Sequence, residues 1–492
     1  MKNWGANINK RHKTIIISVS VTLFSLFSAA LYFFSKDNLI SAFIFLILPF
    51  PIIYLFIIFS NPRIGFISVL YANYFAVGLT RYIPGPLGLS VDALLVLTWV
   101  SLLFSQFNTK VEWKKTANFI TLVAVIWFGF TLFQLVNPEA RSKEAWFYAM
   151  RGVSLYIVLT IPLIFILFNR PKDLEFLIKI TAWFTILAVL KGMQQKFIGV
   201  DHWESIWLRD IGGKTHLLAG GLRVFSFFPD SGTYGGSMGY AAVVYLILGI
   251  NSENKKQKRF YLFVGFMALF AMFISGTRGA LSVPLGGFAL YAILSKRVKV
   301  LFTALMVLVV IFVIFKFTTI GNSNYEIRRF RGGLDSNNDS YQVRVENRKK
   351  FAVYLSTRPF GGGIGSCGNW GLRFTPGSFL AETPPDGWYI QVWAEQGIIG
   401  LSYYLFFLFF ALGRCSYLVF FKLKNERYKN IAMALCGGMF GVMAASYSSS
   451  AMGQMPNLII IFSGVAFIFM MPKWEADEEA AFDINEKIKI SN

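Results

Sequence analysis

The chain is expected to be all-α, a polytopic integral membrane protein of about 14 transmembrane helices. Three observations predict this. Of 492 residues, 55% are hydrophobic and only 15% charged, with a mean hydropathy of +0.54. An ordinary water-soluble domain carries about a quarter charged residues, so no soluble fold suits this composition. Apolar runs of about 17–22 residues, each long enough to cross a bilayer as a helix, follow one another along most of the length. Lys/Arg clusters recur in alternate connectors, the pattern that the positive-inside bias gives cytoplasmic loops.

In chain order the runs fall at 15–34, 39–60, 64–80, 90–106, 117–136, 148–168, 174–191, 233–250, 260–275, 279–295, 299–316, 387–410, 429–447 and 455–471. The clusters Lys2–Lys13, Arg63, Lys110–Lys115, Arg170–Lys172, Lys255–Arg259, Lys296–Lys299 and Lys422–Lys429 mark one side. The opposite short connectors are thinner in cations, with Lys36, Arg81, and Arg141 and Lys143 beside Glu139 and Glu144. The richer set is assigned to the cytoplasm, which puts both termini inside and agrees with an even number of spans. The first run follows a basic start but is long and lacks a small-residue cleavage pattern, so it reads as a retained helix. The expected layout is helices 1–11 over 1–316, with an external loop at about 192–232, and a large external loop over 317–386. Helices 12–14 follow over 387–471, and then an acidic cytoplasmic tail over 472–492, read as a solvated extension or a short amphipathic helix on Trp474, Phe482, Ile484 and Ile488.

The formal charge of +21, from 47 Lys and Arg against 26 Asp and Glu, is therefore largely topological and requires no nucleic acid. Cys367, Cys415 and Cys436 make no disulfide framework, because two of them lie in apolar sequence. His12, His202 and His216 are too scattered for metal-ligand spacing, and no Walker loop or dinucleotide-binding glycine motif is present on the cytoplasmic side. No cofactor or metal is expected.

Ionisable residues beside apolar spans are costly and mark candidate sites. Ser275-Gly-Thr-Arg278-Gly279 joins two spans with too few residues to reach far into water, so Arg278 lies at or below the interface. A snorkelling anchor explains it as readily as a binding role does. Arg223 precedes Pro229-Asp230-Ser-Gly, which is also an ordinary turn before a helix. In the large loop, Tyr341, Val345, Ala352 and Leu355 take helical spacing from Asn338 to Leu355, with Arg344 and Arg348 on an adjoining face. Pro359 and Gly361-Gly-Gly363-Ile-Gly365 end that amphipathic helix in a flexible turn. Its cations lie where the inside bias disfavours them, so either anionic headgroups or an anionic substrate accounts for them. Last, Asp386 stands at the mouth of the span 387–410, as an N-cap or as a reactive carboxylate. Glu395 lies about 13 Å further along that helix and needs a buried partner, expected as a structural bond to a neighbouring helix.

External arginines suit a diphosphate, which their planar forks bind through paired charge-assisted bonds. An external carboxylate suits activation of a hydroxyl. Together they point to a lipid-borne substrate with a phosphate leaving group. Trp370, Phe374, Trp388 and Tyr389 offer faces for sugar stacking, although an interfacial aromatic belt accounts for most of them.

The ordered set over about 220–400 resembles the O-antigen polymerase and ligase superfamily of bacterial envelope glycosyltransferases. Arg223 with Pro229-Asp230 resembles the family's arginine and Pro-Asn turn, and Ser275-Gly-Thr-Arg278-Gly-Ala its Ser-Arg-Gly/Ala motif. Arg344, Pro359 and Gly361–Gly365 resemble its arginine-bearing loop helix and Gly-x-Gly ending. Asp386-Gly-Trp-Tyr-Ile-Gln-Val-Trp-Ala-Glu395-Gln-Gly397-Ile-Ile-Gly400 is similar to a His-Asn-x-Tyr-Leu…Glu-x-Gly motif, with Asp and Gly replacing the His and Asn of ligases.

The resemblance implies a GT-C-like membrane fold and an inverting, metal-independent glycosyl transfer from undecaprenyl diphosphate at the periplasmic face of the inner membrane. Polymerisation of lipid-linked repeat units is the first expectation. Ligation of finished glycan is the second, and transport of a lipid-linked glycan the non-enzymatic one. Asp386 and Arg278 would be catalytic, Arg223, Arg278, Arg344 and Arg348 would hold the diphosphate, and Glu395, Gly363 and Gly365 would be structural or auxiliary. Membrane lipids, a flippase and a chain-length regulator are the implied partners.

Overall fold

The computed structural model describes residues 39–218, 221–296 and 339–491, with 21, 25–29, 31–36, 306 and 318. Parts of the expected span 15–34, nearly all of 299–316, the Lys2–Lys13 cluster and the loop segment 319–338 lie outside the described residues. Elsewhere the expected spans are met by helices. They are α1 (Leu39–Ile47), α2 (Pro49–Ser60), α3 (Pro62–Leu79), α4 (Leu89–Ser105), α5 (Phe119–Phe133), α6 (Lys143–Met150), α7 (Tyr156–Leu167) and α8 (Pro171–Met193). There follow α9 (His202–Trp207), α10 (Ser231–Asn251), α11 (Lys255–Ile274), α12 (Ser282–Leu294), α13 (Asp339–Leu355), α14 (Gly368–Phe374) and α15 (Phe379–Glu382). The last three are α16 (Trp388–Tyr417), α17 (Glu426–Ala445) and α18 (Asn457–Ser491).

Among the described residues, eight helices are long and apolar enough to cross a membrane, and Leu89–Ser105 and Arg278–Leu294 form shorter apolar helices. The described strands, Leu217–Leu218 and Gly221–Leu222, make one small antiparallel ladder. The chain is thus an all-α, multi-pass membrane protein.

Two compact units divide the chain: Met1–Ser68 with Val96–Val111, and Val69–Leu95 with Glu112–Asn492. In the first, Ser101 Oγ donates to Ile58 O at 2.6 Å and Phe59 meets Phe104 edge-on. The second carries all the candidate residues.

Helix α10 is the most enclosed candidate span of the second unit, with buried residues from Ser231 to Gly249. A helix that is apolar or small-sided all round belongs inside a bundle. Small residues let its neighbours close in: a Cβ at Gly235 would stand 2.5 Å from Ser275 Oγ, and one at Gly239 2.9 Å from Val283 Cβ. α10 packs on α11 and α17, and α12 packs on α17. Its N-terminus is fixed by Asp230, whose carboxylate accepts from Thr233 N at 2.8 Å.

Two expectations change. The first turns of the acidic tail are not solvated, because α18 runs on through Pro472 and buries Trp474 and Glu475. Glu475 accepts from Lys424 N at 2.8 Å and from Asn425 N, so it serves amides just before α17 that the helix cannot satisfy itself. Tyr428 OH donates to Glu478 at 2.5 Å.

The expected loop helix is α13, but it is turned differently. Asn347, Phe351 and Leu355 are buried and Arg344 and Arg348 half-buried, whereas Tyr341 and Ala352 are exposed. Phe351 and Leu355 form a core with Cys367, Leu380 and Ala394 of α16. The arginines therefore share the inward stripe, because polar protein groups rather than an apolar surface lie beneath that part of the helix.

Candidate functional site

Three of the four sequence-selected segments meet around a turn that the sequence reading passed over, Ser446-Tyr447-Ser448-Ser449-Ser450 between α17 and α18. On one side lies the Arg278 turn. A Cβ added to Gly279 would come 2.5 Å from Ser448 Oγ, so glycine permits this approach. On the other side lies Asp386-Gly387. A Cβ at Gly387 would come 2.4 Å from Tyr447 O, and Trp388 N donates to Ser446 O at 2.9 Å and Ser449 O at 3.1 Å. From α13, Arg348 reaches the same turn: its guanidinium sits 4.3 Å over the Tyr447 ring and donates to Tyr447 OH at 2.5 Å.

Asp386 is not the N-cap of α16. Gly387 holds that position, with no side-chain cap. Asp386 itself takes φ 51°, a left-handed conformation that Asp tolerates better than most residues, and its carboxylate points to α13 instead. Oδ2 accepts from Asn347 Nδ2 at 3.2 Å, and Oδ1 lies 3.8 Å from Arg344 Nε. Asn347 also bonds Pro384 O at 3.4 Å, fixing the approach to Asp386.

Arg223 is joined to the Arg278 turn. Its Nη2 donates to Thr277 Oγ1 at 3.0 Å and its Nη1 to Thr215 O at 3.1 Å, while Thr277 Oγ1 donates to Ser231 O at 2.9 Å. Arg278 follows in the short Arg278–Leu281 turn and is half-buried. Asp230 is used as the cap of α10, which accounts for its place beside Pro229.

Buried polar groups hold the Arg223 segment. Arg81 Nη1 donates to Ser226 O at 2.6 Å, a second nitrogen donates to Phe228 O, and the guanidinium lies 4.6 Å from the Trp207 ring and 4.3 Å from that of Phe225. Burial lowers its pKa from the usual arginine range to about 10. Gln195 Oε1 accepts from Ser226 N at 2.8 Å and Phe225 N at 3.2 Å. His216, which bonds Gly212 O at 2.9 Å, is pushed below its ordinary pKa by burial.

The glycine turn is not flexible. α16 is broken at Gly397, where φ is 69°, and the Gly361 segment supplies the hydrogen bonds that the broken helix lacks. Gly362 N donates to Ala394 O at 2.9 Å, Gly363 N to Glu395 O at 2.8 Å, and Ile399 N to Pro359 O at 3.3 Å. A Cβ at Gly397 would lie 1.9 Å from Pro359 O, and one at Gly361 would lie 2.4 Å from Gly397 N. Gly363 and Gly365 press against Ala140 and Ala145. The Glu395 carboxylate is buried and accepts from Gln391 Nε2 at 3.1 Å and Cys367 N at 3.4 Å, so its partner outside α16 is this loop and not a neighbouring helix.

Asn347, Tyr447 and Arg81 were missed. The available signals were a polar residue between two arginines on one helix face and a serine run interrupting apolar sequence. Among the described residues, no group of three or more His, Cys, Asp or Glu is placed to hold a metal.

Comparison with known proteins adds two findings. A family model described as O-antigen ligase matches residues 262–405, which include Arg278, Arg344, Arg348, Asp386 and Glu395. A protein of Salmonella muenchen named O-antigen polymerase is 25% identical over 342 residues, covering 66% of this chain and 82% of that relative.

Proposed function

We propose, from the match of residues 262–405 to the O-antigen ligase family model and the likeness to an O-antigen polymerase, that the chain is a member of that superfamily and polymerises undecaprenyl-diphosphate-linked oligosaccharide repeat units. The observation that carries this reading is the convergence of the Arg278 and Asp386 segments on the Tyr447–Ser449 turn, with Arg344 3.8 Å from the Asp386 carboxylate.

An acceptor hydroxyl attacks the anomeric carbon of the donor, and the bond from that carbon to the diphosphate oxygen breaks. Asp386 receives the hydroxyl proton as the nucleophile forms. Arg278, with Arg223, Arg344 and Arg348, neutralises charge on the departing lipid diphosphate. Arg344 spans both tasks, because it belongs to the cationic face and also orients Asp386. Attack opposite the leaving group inverts the anomeric centre, and the arginines supply the electrostatic stabilisation without a metal.

The alternate-connector charge pattern supports an inner-membrane orientation with both termini cytoplasmic and the site facing the periplasm. A flippase would deliver the repeat units and a chain-length regulator would act beside the enzyme. The ligase description of the matching family model favours a second reading, transfer of finished glycan to a lipid or protein acceptor. Asp386 in place of a ligase histidine weighs toward polymerisation.

The purified protein in liposomes, given one lipid-linked repeat unit and no ion gradient, is expected to produce a ladder of longer lipid-linked glycans. A deletion strain is expected to carry single repeats. Long undecaprenyl-linked chains in that strain would instead establish ligation, and no new glycosidic bond in either assay would refute both enzymatic readings.

A further inference from the structure

An aromatic surface lies apart from the arginines assigned to the diphosphate. Tyr148 of α6 and Trp370 and Phe374 of α14 have nearly parallel rings: Tyr148 to Trp370 at 4.8 Å and 20°, Tyr148 to Phe374 at 5.5 Å and 17°, and Trp370 to Phe374 at 6.3 Å and 24°. All three are half-buried, so part of each remains accessible. By contrast, Trp388 is buried with its Nε1 bonded to Tyr404 OH, and Tyr389 OH is committed to Met443 O.

Arginines bracket the rings. Arg151 sits in a π turn, Arg151–Leu155, at the junction of α6 and α7. Its Nη1 pairs with Asp92 Oδ2 at 2.8 Å, its Nε donates to Tyr148 O at 3.0 Å, and its guanidinium lies 5.1 Å from the Tyr148 ring and 5.9 Å from that of Trp370. Tyr148 is therefore held rigidly and backs Trp370 and Phe374, which stack on it, and this lowers the entropy lost when a ligand meets those two rings. Arg373 is exposed, 5.1 Å from the Phe374 ring and 5.6 Å from that of Tyr148. Among the described residues its donors have no hydrogen-bond acceptor, so they are available to a ligand.

We propose that Tyr148, Trp370, Phe374 and Arg373 form a saccharide subsite that holds a pyranose of the glycan away from the reacting bond. This rests on the proposed function for its substrate class. Aromatic surface meets the apolar C–H side of a sugar ring, and the guanidinium donates to its hydroxyl oxygens. A lipid tail would leave Arg373 unused, and an isolated phosphate would leave the rings unused. The platform is tied to the Asp386 region, because Cys367, just before α14, bonds Glu395 and packs on Phe351 of α13. α13 in turn carries Asn347, which holds Asp386.

The test uses the full-length protein in detergent and a lipid-free repeat-unit oligosaccharide released from the host's own surface glycan, with binding read by saturation-transfer NMR. The Trp370→Ala/Phe374→Ala double variant is expected to bind at least about tenfold more weakly, and the exposed Arg373→Gln about threefold more weakly. Trp370→Phe should stay within about threefold of wild type. In the polymerisation assay the double variant raises KM and shortens the chains, while kcat for joining two single repeats is retained. Wild-type binding, KM and chain length in both the double variant and Arg373→Gln would overturn the subsite while leaving polymerisation intact. Oligosaccharide binding that depends on these residues in a protein that forms no glycosidic bond would sustain the subsite and overturn the polymerase reading. Should the double variant lower the melting temperature, Arg373→Gln decides, and an unchanged affinity there refutes the proposal.

Discussion

Asn347 donates to Oδ2 of Asp386 at 3.2 Å from a helix that also brings Arg344 to within 3.8 Å of the other carboxylate oxygen. The carboxylate is thus oriented by a neutral donor and a cation on successive turns of α13. Asp386→Asn keeps the shape and removes the proton acceptor, and should lower the initial rate of ladder formation by about a hundredfold or more. Asn347→Ala leaves the carboxylate charged but less well aimed, with an expected loss of about tenfold. Wild-type rates in Asp386→Asn would remove this residue from the mechanism.

Arg278 offers a second test, because anchoring and diphosphate binding demand different chemistry. Lysine snorkels as arginine does but cannot form the paired, planar contacts of a guanidinium. Arg278→Lys should therefore lose at least about tenfold in kcat/KM at unchanged expression and melting temperature. Full activity in that variant would identify an anchor.

Gly397 and Gly413 lie in the same helix with opposite surroundings. An alanine at Gly397 would need a left-handed φ of 69° and would place its Cβ 1.9 Å from Pro359 O. The same change at Gly413 meets nothing within 4 Å. Gly397→Ala should destabilise by at least about 2 kcal/mol, whereas Gly413→Ala should be neutral or stabilising by up to about 1 kcal/mol. Melting curves in detergent give the comparison, and equal midpoints would contradict the interlocked loop.

His216 predicts a pH effect. Burial holds its folded pKa below the 6.5 of a free histidine. Above that value both states are neutral and the residue contributes nothing. As pH falls through 6.5 the unfolded chain takes up the proton first, so stability declines until the folded pKa is reached. His216→Gln should lose less melting temperature than wild type between pH 7.5 and 5. Parallel losses would show that another group sets the acid sensitivity.

Among the described residues, the positions of the apolar helices and of the loop helix were legible because membrane helices write long apolar runs, and because residues 339–355 combine helix-forming spacing with a Pro-Gly stop. The inward face of α13 was not legible. Its buried stripe mixes Asn347 and two arginines with Phe351 and Leu355, and only the partners Asp386 and Tyr447 make that burial affordable. Arg278 and Asp386 could be singled out by charge beside apolar sequence, but the turn joining their segments could not. Ser446–Ser450 has no charge, and its contribution is backbone carbonyls and closeness. Arg81 was invisible for a related reason: it acts on carbonyls of Ser226 and Phe228, more than a hundred positions away in sequence.

The break at Gly397 also sets an order of assembly. The carbonyls of Ala394 and Glu395 receive their donors from residues made earlier, Gly362 and Gly363, which leave the ribosome before α16 exists. Until those two segments meet, α16 carries unfilled acceptors that lipid cannot satisfy. The loop ahead of it is therefore half of the packing that α16 needs, and α16 becomes fully stable only when that earlier segment closes on it. A pulse-labelled chain halted between 365 and 388 would thus hold half of a clasp whose other half is still to be made.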